Sequence, residues 1–167
     1  MRYLDETGLR LALPPTQTWT QKGQAHQFKV PTRWGSAGRM NLLGSLRCFQ
    51  EQWVLEYRVV GSSCNSKALE GYLETLVEGS SLECPTVVVL DNAGAHRAKR
   101  IKKRLKEWVS KGLRLYYLPP YCPHLNLVEC WWKKLKSFLL PRRCYDSLAE
   151  LKEALMVALN ALGAIAL

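Results

Sequence analysis

The run TVVVL at residues 86–90, followed directly by Asp91, decides how this chain folds. A continuous β-branched and aliphatic run without polar alternation is expected of a central strand that is covered on both faces. Open α/β sheets gather their ligands beyond the carboxyl ends of such strands, so the carboxylate of Asp91 is a candidate metal ligand. The alternative is that Asp91 orders the turn formed by residues 92–94, because Asp is common in turns.

The segments around this strand alternate between strand and helix patterns. Residues 39–48 and 52–60 are predicted to form a hairpin, because the second segment alternates apolar and polar side chains. Apolar side chains then recur at helical spacing over about thirteen residues between Asn65, a candidate N-cap, and Gly79, a candidate C-cap. We also predict a first strand that ends at Asp5, a helix over 95–110, a strand over 113–118, a helix capped by Asn126, and a helix with a capping box at Ser147 and Glu150. This order predicts a mixed α/β layer architecture.

Composition favours a single domain with a polyanionic partner. The 167 residues are 47% apolar, and 24 Lys and Arg outnumber 14 Asp and Glu, which gives a net charge of +10. Nucleic acid is the first candidate partner and an anionic membrane surface the second. No apolar stretch is long enough for a membrane span, and the six cysteines form no zinc-site spacing. We therefore expect a soluble cytoplasmic protein with free thiols and no membrane partner.

Much of the positive charge lies in one run behind Asp91. The predicted helix over 95–110 turns its apolar side chains to the core and its basic side chains to solvent. A charge run of this kind is either a solvated face or a contact to the DNA backbone, and the net charge favours DNA. The predicted core face holds Ala98, Ile101, Leu105, Trp108 and Val109, and the basic run holds Arg97, Lys99, Arg100, Lys102, Lys103, Arg104 and Lys106.

Glu129 and Asp5 are weak candidates when each is taken alone. Glu129 follows Asn126 at the spacing of a capping arrangement, and it could also pair with Lys133 four residues on. Glu129, Lys133 and Lys136 nevertheless share a predicted exposed helical face, and a carboxylate beside two ammonium groups suits a metal next to a phosphate chain. The predicted opposite face holds Val128, Trp131, Leu135 and Phe138, and both Trp131 and Trp132 are interpreted as packing residues.

Neighbouring side chains of a strand point to opposite faces. Asp5 and Glu6 are neighbours, so only one of them is expected to share a site with Asp91, and Glu6 is expected to face away. His96, five residues after Asp91, either approaches a scissile phosphate or only satisfies the turn.

Three separated blocks of the sequence carry a family resemblance. VVVLDNAGAHRA at 87–98 and LPPYCPHLNLVECWWKKLK at 118–136 resemble the second and third catalytic blocks of insertion-sequence transposases of the mariner-like superfamily. LDETGL at 4–9 with TWTQKGQ at 18–24 resembles the first block, and 37 residues separate Asp91 from Glu129. His124 stands where these proteins more often have an acidic residue, and Leu127 replaces a frequent proline.

The resemblance implies a DDE-type catalytic domain with a ribonuclease H-like fold, a mixed sheet of about five strands flanked by helices. It implies that Asp5, Asp91 and Glu129 are the catalytic residues and the ligands of Mg²⁺, with Mn²⁺ as a substitute. The implied reaction is strand cleavage at transposon ends and strand transfer to target DNA, with self-association in a transposition complex. The implied DNA-binding residues are Arg97, Lys99, Arg100, Lys103, Arg104, Lys133 and Lys136.

Two other functions fit the same sequence. Transposases of this kind usually carry an N-terminal helix-turn-helix region, and this chain begins five residues from its first catalytic carboxylate. We therefore expect residues 1–167 to be the catalytic domain without that region, in a bacterial, nucleoid-associated protein. The first alternative is a non-catalytic DNA-binding remnant or regulator. The second is a ribonuclease H-like nuclease of another lineage.

Overall fold

The structure is a computed structural model that describes residues 1–13, 21–23, 38–61, 63–120 and 122–167. Most of the predicted TWTQKGQ block therefore lies outside the described residues, as do Pro14 and Pro15. Gly23 is described and has a φ of 86°, which agrees with the turn expected there. Among the described helices, none combines the length and hydropathy that a membrane crossing needs.

Within the described residues, six strands form one mixed sheet in the order β5-β4-β1-β2-β3-β6. β1 lies at its centre, antiparallel to β2 and parallel to β4. The predicted ribonuclease H-like sheet of about five strands is confirmed, and the additional strand is a two-residue segment parallel to β3. The strands are β1 (Arg2–Arg10), β2 (Arg39–Phe49), β3 (Gln52–Gly61), β4 (Thr86–Leu90), β5 (Leu113–Tyr117) and β6 (Ile165–Ala166).

In the part of the chain that the structure describes, four α-helices flank the sheet, and two of them begin at the predicted caps. Asn65 Oδ1 accepts hydrogen bonds from the backbone N–H groups of Lys67 and Ala68 at 3.1 and 3.0 Å. Ser147 Oγ accepts from the N–H of Glu150 at 3.1 Å. These bonds satisfy donors that a helix start leaves without partners. The helices are α1 (Ser66–Glu78), α2 (Lys99–Ser110), α3 (Val128–Lys134) and α4 (Leu148–Ala161), with a 3₁₀ turn at Pro123–Leu125 and a π-helix at Leu135–Leu139.

The sheet buries a hydrophobic cluster on each face. Leu43 and Val88 pack with α1 and α2 on one side, whereas Leu42 and Leu46 pack with α3 and α4 on the other. The change of side between Leu42 and Leu43 follows from the two-residue period of a strand. Each fully buried leucine contributes roughly 1.5–3 kcal/mol, so both helical layers are held firmly against β1, β2 and β4.

Two predicted boundaries were wrong. β1 continues to Arg10, so Asp5 lies within the strand and not at its end, because β1 pairs with β2 along nine residues. α2 begins at Lys99 and not at residue 95. The residues before it form turns instead, with His96 N–H donating to Ala93 O at 3.0 Å.

Three predicted side-chain positions were also wrong. Asn126 does not cap α3 with its side chain, because its amide bonds to the sheet. Phe138 is 78% exposed, since the π-helix changes the phase of the helical face after Lys134. Val109 is 43% exposed near the end of α2, while Ile101 and Trp108 form its buried face as predicted.

Candidate active site

Asp5 is a buried carboxyl group surrounded by other carboxylates. It lies on β1 opposite Gly44 of β2 and is 8% exposed. Burial and, after it, the charges of Glu129, Glu6 and Asp91, in that order, together raise the pKa of Asp5 to about 8. No described basic side chain forms an ion pair with Asp5, so the neutral form is favoured until a cation compensates the charge.

Asn126 and Trp132 hold α3 against β1, which carries Asp5, and against the neighbouring strand β2. Asn126 Nδ2 donates to the backbone carbonyl of Leu4 at 3.0 Å, in a buried position. The indole ring of Trp132 packs on Gly44, where an added Cβ would lie 2.5 Å from the ring. These contacts place the first turn of α3, with Glu129, beside Asp5. Sequence reasoning missed the role of Asn126, and Gly44 within a strand was the available signal of close approach.

Glu129 makes neither of the two structural contacts that the sequence suggested for it. The backbone N–H of Asn126 donates to Pro123 O at 2.8 Å, so it has no need of the Glu129 side chain. Within the described residues Glu129 forms no ion pair with Lys133. The carboxylate is exposed, and its charge is the largest electrostatic influence on Asp5. Its position in the first turn of α3 is favourable for a negative charge.

Asp91 follows β4 and orders the turn after it. Its Oδ1 accepts from the backbone N–H of Ala93 at 2.9 Å and contacts His96 Nδ1 at 2.6 Å. Both contacts use the same oxygen, and the side chain is 50% exposed. Asp91 therefore orders the turn, as one of the two interpretations predicted, and it does so through Oδ1. This role does not exclude the metal interpretation, because Oδ2 accepts no hydrogen bond from the described residues.

His96 is buried and joins Asp91 to Glu6. It is 1% exposed, and its Nε2 lies 3.1 Å from Glu6 Oε2. Burial alone would lower the pKa of His96, but the hydrogen bond that its ring donates to Glu6 and the charges of Glu6 and Asp91 outweigh burial, and the pKa is raised. The turn interpretation of His96 is supported, and a buried ring cannot approach a phosphate. Glu6 lies on the opposite face of β1 from Asp5, yet it does not face away from Asp91.

Basic side chains stand near the carboxylates. Lys136 is partly buried, and burial lowers its pKa while the charges of Glu129 and Asp5 oppose that change. Arg39 lies across β1 at Gly8, where an added Cβ would be 2.5 Å from its Nη2. The charges of both the carboxylates and Arg39 act on Lys136, so acidic and basic groups lie side by side on this surface. Lys133 is exposed on α3.

The basic run of α2 divides into two groups. Arg100 pairs with Glu70 and Arg104 pairs with Glu74, so these arginines connect α2 to α1. Arg97 packs over the ring of Tyr117 at 5.5 Å. The lysines of the run form no ion pairs within the described part of the chain, and all of them are exposed. They are Lys99, Lys102, Lys103 and Lys106.

The predicted carboxylates come from three separate elements: a strand, the end of another strand, and a helix. Asp5 and Glu129 interact most strongly, and Asp91 is bonded to His96. Across residues 1–13, 21–23, 38–61, 63–120 and 122–167, no three His, Cys, Asp or Glu side chains are arranged to hold one metal ion. Coordination by all three carboxylates therefore stays a prediction.

Comparison with known proteins gives matches in both sequence and fold. The profile of the family described as DDE superfamily endonuclease matches residues 1–152. An uncharacterized protein of Sinorhizobium fredii, y4pE/y4sA, is 26% identical over 99 residues, which cover 59% of this chain and 69% of that protein.

The fold resembles solved transposase and intasome structures. The Mos1 mariner paired end complex with Mn has a TM-score of 0.65 at 16% identity, over 96% of this chain and 48% of that one. The Mos1 paired-end complex with the left transposon end has a TM-score of 0.64 at 16% identity, over 93% and 46%. A simian T-cell lymphotropic virus intasome has a TM-score of 0.51 at 20% identity, over 73% and 41%. The chain thus spans about half the length of the solved proteins it matches.

Proposed function

The chain belongs to the DDE superfamily endonuclease family, and from this premise we propose that it is the catalytic domain of a DNA transposase. Asp5, Asp91 and Glu129 are its catalytic residues, and the reaction is cleavage and transfer of DNA strands at a phosphodiester bond. The observation that carries the proposal is the buried Asp5 carboxyl, which lies among three other carboxylates and forms no ion pair with a described basic side chain. Buried carboxyl groups in proteins are usually paired or hold a metal ion, so this cluster is a candidate cation site.

The donor set fits a hard divalent cation. Carboxylate oxygens are the ligands that Mg²⁺ prefers, and Mn²⁺ accepts the same donors. A Mos1 complex of similar fold is described with Mn, in keeping with this choice. Bound in pairs, such ions supply activation of the attacking oxygen and neutralisation of the leaving oxygen during in-line displacement.

Each proposed catalytic residue has a distinct environment. Asp5 must release its proton before it can serve as a ligand, because its pKa is about 8. Asp91 offers the oxygen that the turn does not use. Glu129 is exposed at the start of α3 and can approach a substrate from the solvent side. Lys133 and Lys136, on the same helical segment, are placed to offset phosphate charge.

The proposed partner is DNA, as transposon ends and as target, with self-association of the protein in a transposition complex. Contact to the DNA backbone falls mainly to the unpaired lysines of α2, such as Lys99 and Lys103, together with Arg97. Arg100 and Arg104 already compensate glutamates of α1, so we expect them to contribute less to DNA binding. Binding of this kind is indifferent to sequence and falls steeply with added salt.

Amide substitution tests the proposal most directly. Asp91→Asn and Glu129→Gln keep the size of each side chain but remove the charge that holds a divalent ion. We expect both variants to fold and to lose nicking and joining of DNA in Mg²⁺ or Mn²⁺. Glu153→Gln, an exposed amide substitution on α4, is the matched control and should leave both activities unchanged.

The outcomes separate the proposal from its alternatives. An active Glu129→Gln variant would remove the third carboxylate from the mechanism. A wild-type protein that binds DNA but never cleaves it, even with a family N-terminal DNA-binding region attached, would favour a non-catalytic regulator. Cleavage without strand transfer would favour a nuclease of another lineage.

A further inference from the structure

Three residues from two segments of the sequence are joined by hydrogen bonds through one buried ring. Glu6 on β1 contacts His96 Nε2 at 3.1 Å, and His96 Nδ1 contacts Asp91 Oδ1 at 2.6 Å. The ring itself is 1% exposed, whereas the Asp91 side chain is 50% exposed. A buried imidazole ring therefore links two partly exposed carboxylates, since the Glu6 side chain is 32% exposed.

The turn after β4 does not by itself require this arrangement. Ala93 N–H already donates to Asp91 Oδ1, which is the bond that an Asp-led turn needs. The further contact to Glu6 ties the ring to a different strand, 90 residues away in the chain. Burying the imidazole ring there costs free energy unless both of its nitrogens find partners, and Glu6 is the partner of Nε2. What the contact does is fix the orientation of the imidazole ring.

We propose that Glu6 and His96 are positioning residues that hold the Asp91 carboxylate in one rotamer, so that its Oδ2 stays available to a divalent cation. This inference rests on the proposed function. Glu6 is not itself a ligand, because it lies on the face of β1 opposite Asp5 and its carboxylate is engaged with the ring. Groups that bond to a metal ligand in this way typically change metal affinity by about 10–100-fold when they are removed.

Four substitutions separate positioning from the effect of charge. Glu6→Ala removes the acceptor for Nε2, whereas Glu6→Gln keeps an acceptor oxygen and removes only the charge. His96→Ala removes both contacts, whereas His96→Asn keeps an N–H donor near the place of Nδ1. Glu70→Ala is the matched control, because Glu70 also pairs with basic side chains but lies on α1, away from the site.

The measurement is the rise of Tm with Mn²⁺ concentration, which yields an apparent Kd without any need for activity. We expect Glu6→Ala, His96→Ala and His96→Asn to raise this Kd by about 10–100-fold, because each of them breaks the link to Glu6, and Glu6→Gln and Glu70→Ala to stay within about threefold of wild type. Because the residues act in series, the Glu6→Ala/His96→Ala double variant should match His96→Ala alone. If His96→Ala does not fold, the apparent Kd of Glu6→Ala is compared with that of Glu6→Gln, and this pair tests the same positioning role.

Three results would overturn the inference, and they are distinguishable. If wild type responds to Mn²⁺ and Glu6→Ala responds equally, the positioning role is wrong while the proposed function stands. If Glu6→Gln weakens Mn²⁺ binding as much as Glu6→Ala, Glu6 acts through its charge or as a ligand. If wild type itself does not respond to Mn²⁺, the proposed function is wrong and this inference fails with it.

Discussion

Replacing Asp5 by Asn should stabilise the metal-free protein, although Asp5 is a proposed catalytic residue. Burial, reinforced by Glu129, Glu6 and Asp91, raises the pKa of Asp5 from 3.8 to about 8. Between these values the folded protein holds a proton that the unfolded chain has released. The stability that this proton contributes is complete below about pH 4 and is lost as the pH rises through about 8. Asn is neutral at every pH and avoids the loss.

The size of the effect follows from the same pKa values. Each pH unit above the unfolded pKa costs about 1.4 kcal/mol, so the cost at pH 7 is at most about 4 kcal/mol. For a chain of this length about 1 kcal/mol corresponds to roughly 2–4 °C in Tm, so the upper limit of the gain for Asp5→Asn is about 8–16 °C. At pH 4 the two proteins should unfold at nearly the same temperature.

Thermal unfolding followed by circular dichroism between pH 4 and pH 8 measures this difference, first with EDTA and then with Mn²⁺. With Mn²⁺ the order should reverse, because wild type gains the binding free energy of the cation and Asp5→Asn does not. An Asp5→Asn variant that is less stable than wild type at pH 7 in EDTA would refute the reasoning. That result would mean that Asp5 is ionised and compensated within the protein.

Three further variants, two single and one double, test the packing of the fold and the role of α2 in DNA binding. Gly44→Ala places a Cβ 2.5 Å from the ring of Trp132 and should cost about 1–3 kcal/mol in urea unfolding. Gly71→Ala, on α1 with its nearest neighbour 3.8 Å from the new Cβ, should instead stabilise by about 0.5–1 kcal/mol. The double variant Lys102→Gln/Lys103→Gln should reduce the salt dependence of DNA binding. The slope of log K against log salt concentration should become shallower by about 1 for each of these lysines that neutralises a phosphate.

Each of these tests has an outcome that contradicts it. A stable Gly44→Ala variant would mean that α3 can shift on the sheet at no cost in stability. A Gly71→Ala variant that unfolds at lower urea than wild type would mean that α1 needs the glycine for its packing. An unchanged salt slope in the double lysine variant, equal to that of a control at exposed Lys152 on α4, would mean that α2 is a solvated face that does not bind DNA.

Local pattern was sufficient for most of the elements of this fold. The run TVVVL predicted β4, the two-residue alternation predicted β3, and Asn65 and Ser147 predicted two helix starts correctly. These features depend on side-chain periodicity and on hydrogen bonds between residues close in sequence, which a sequence displays directly. The resemblance to transposase blocks predicted the family in the same way, because it rests on residue types at fixed spacing.

The connections between elements were decided only by the tertiary structure. Asn126 could cap a helix or reach the sheet, and the carbonyl of Leu4, 122 residues away, determined which bond forms. Glu6 was expected to be separate from Asp91, but a buried His96 ring spans the gap between them. Period and spacing indicate which face a side chain occupies. They do not indicate which distant group lies opposite, because that depends on how the strands and helices pack together.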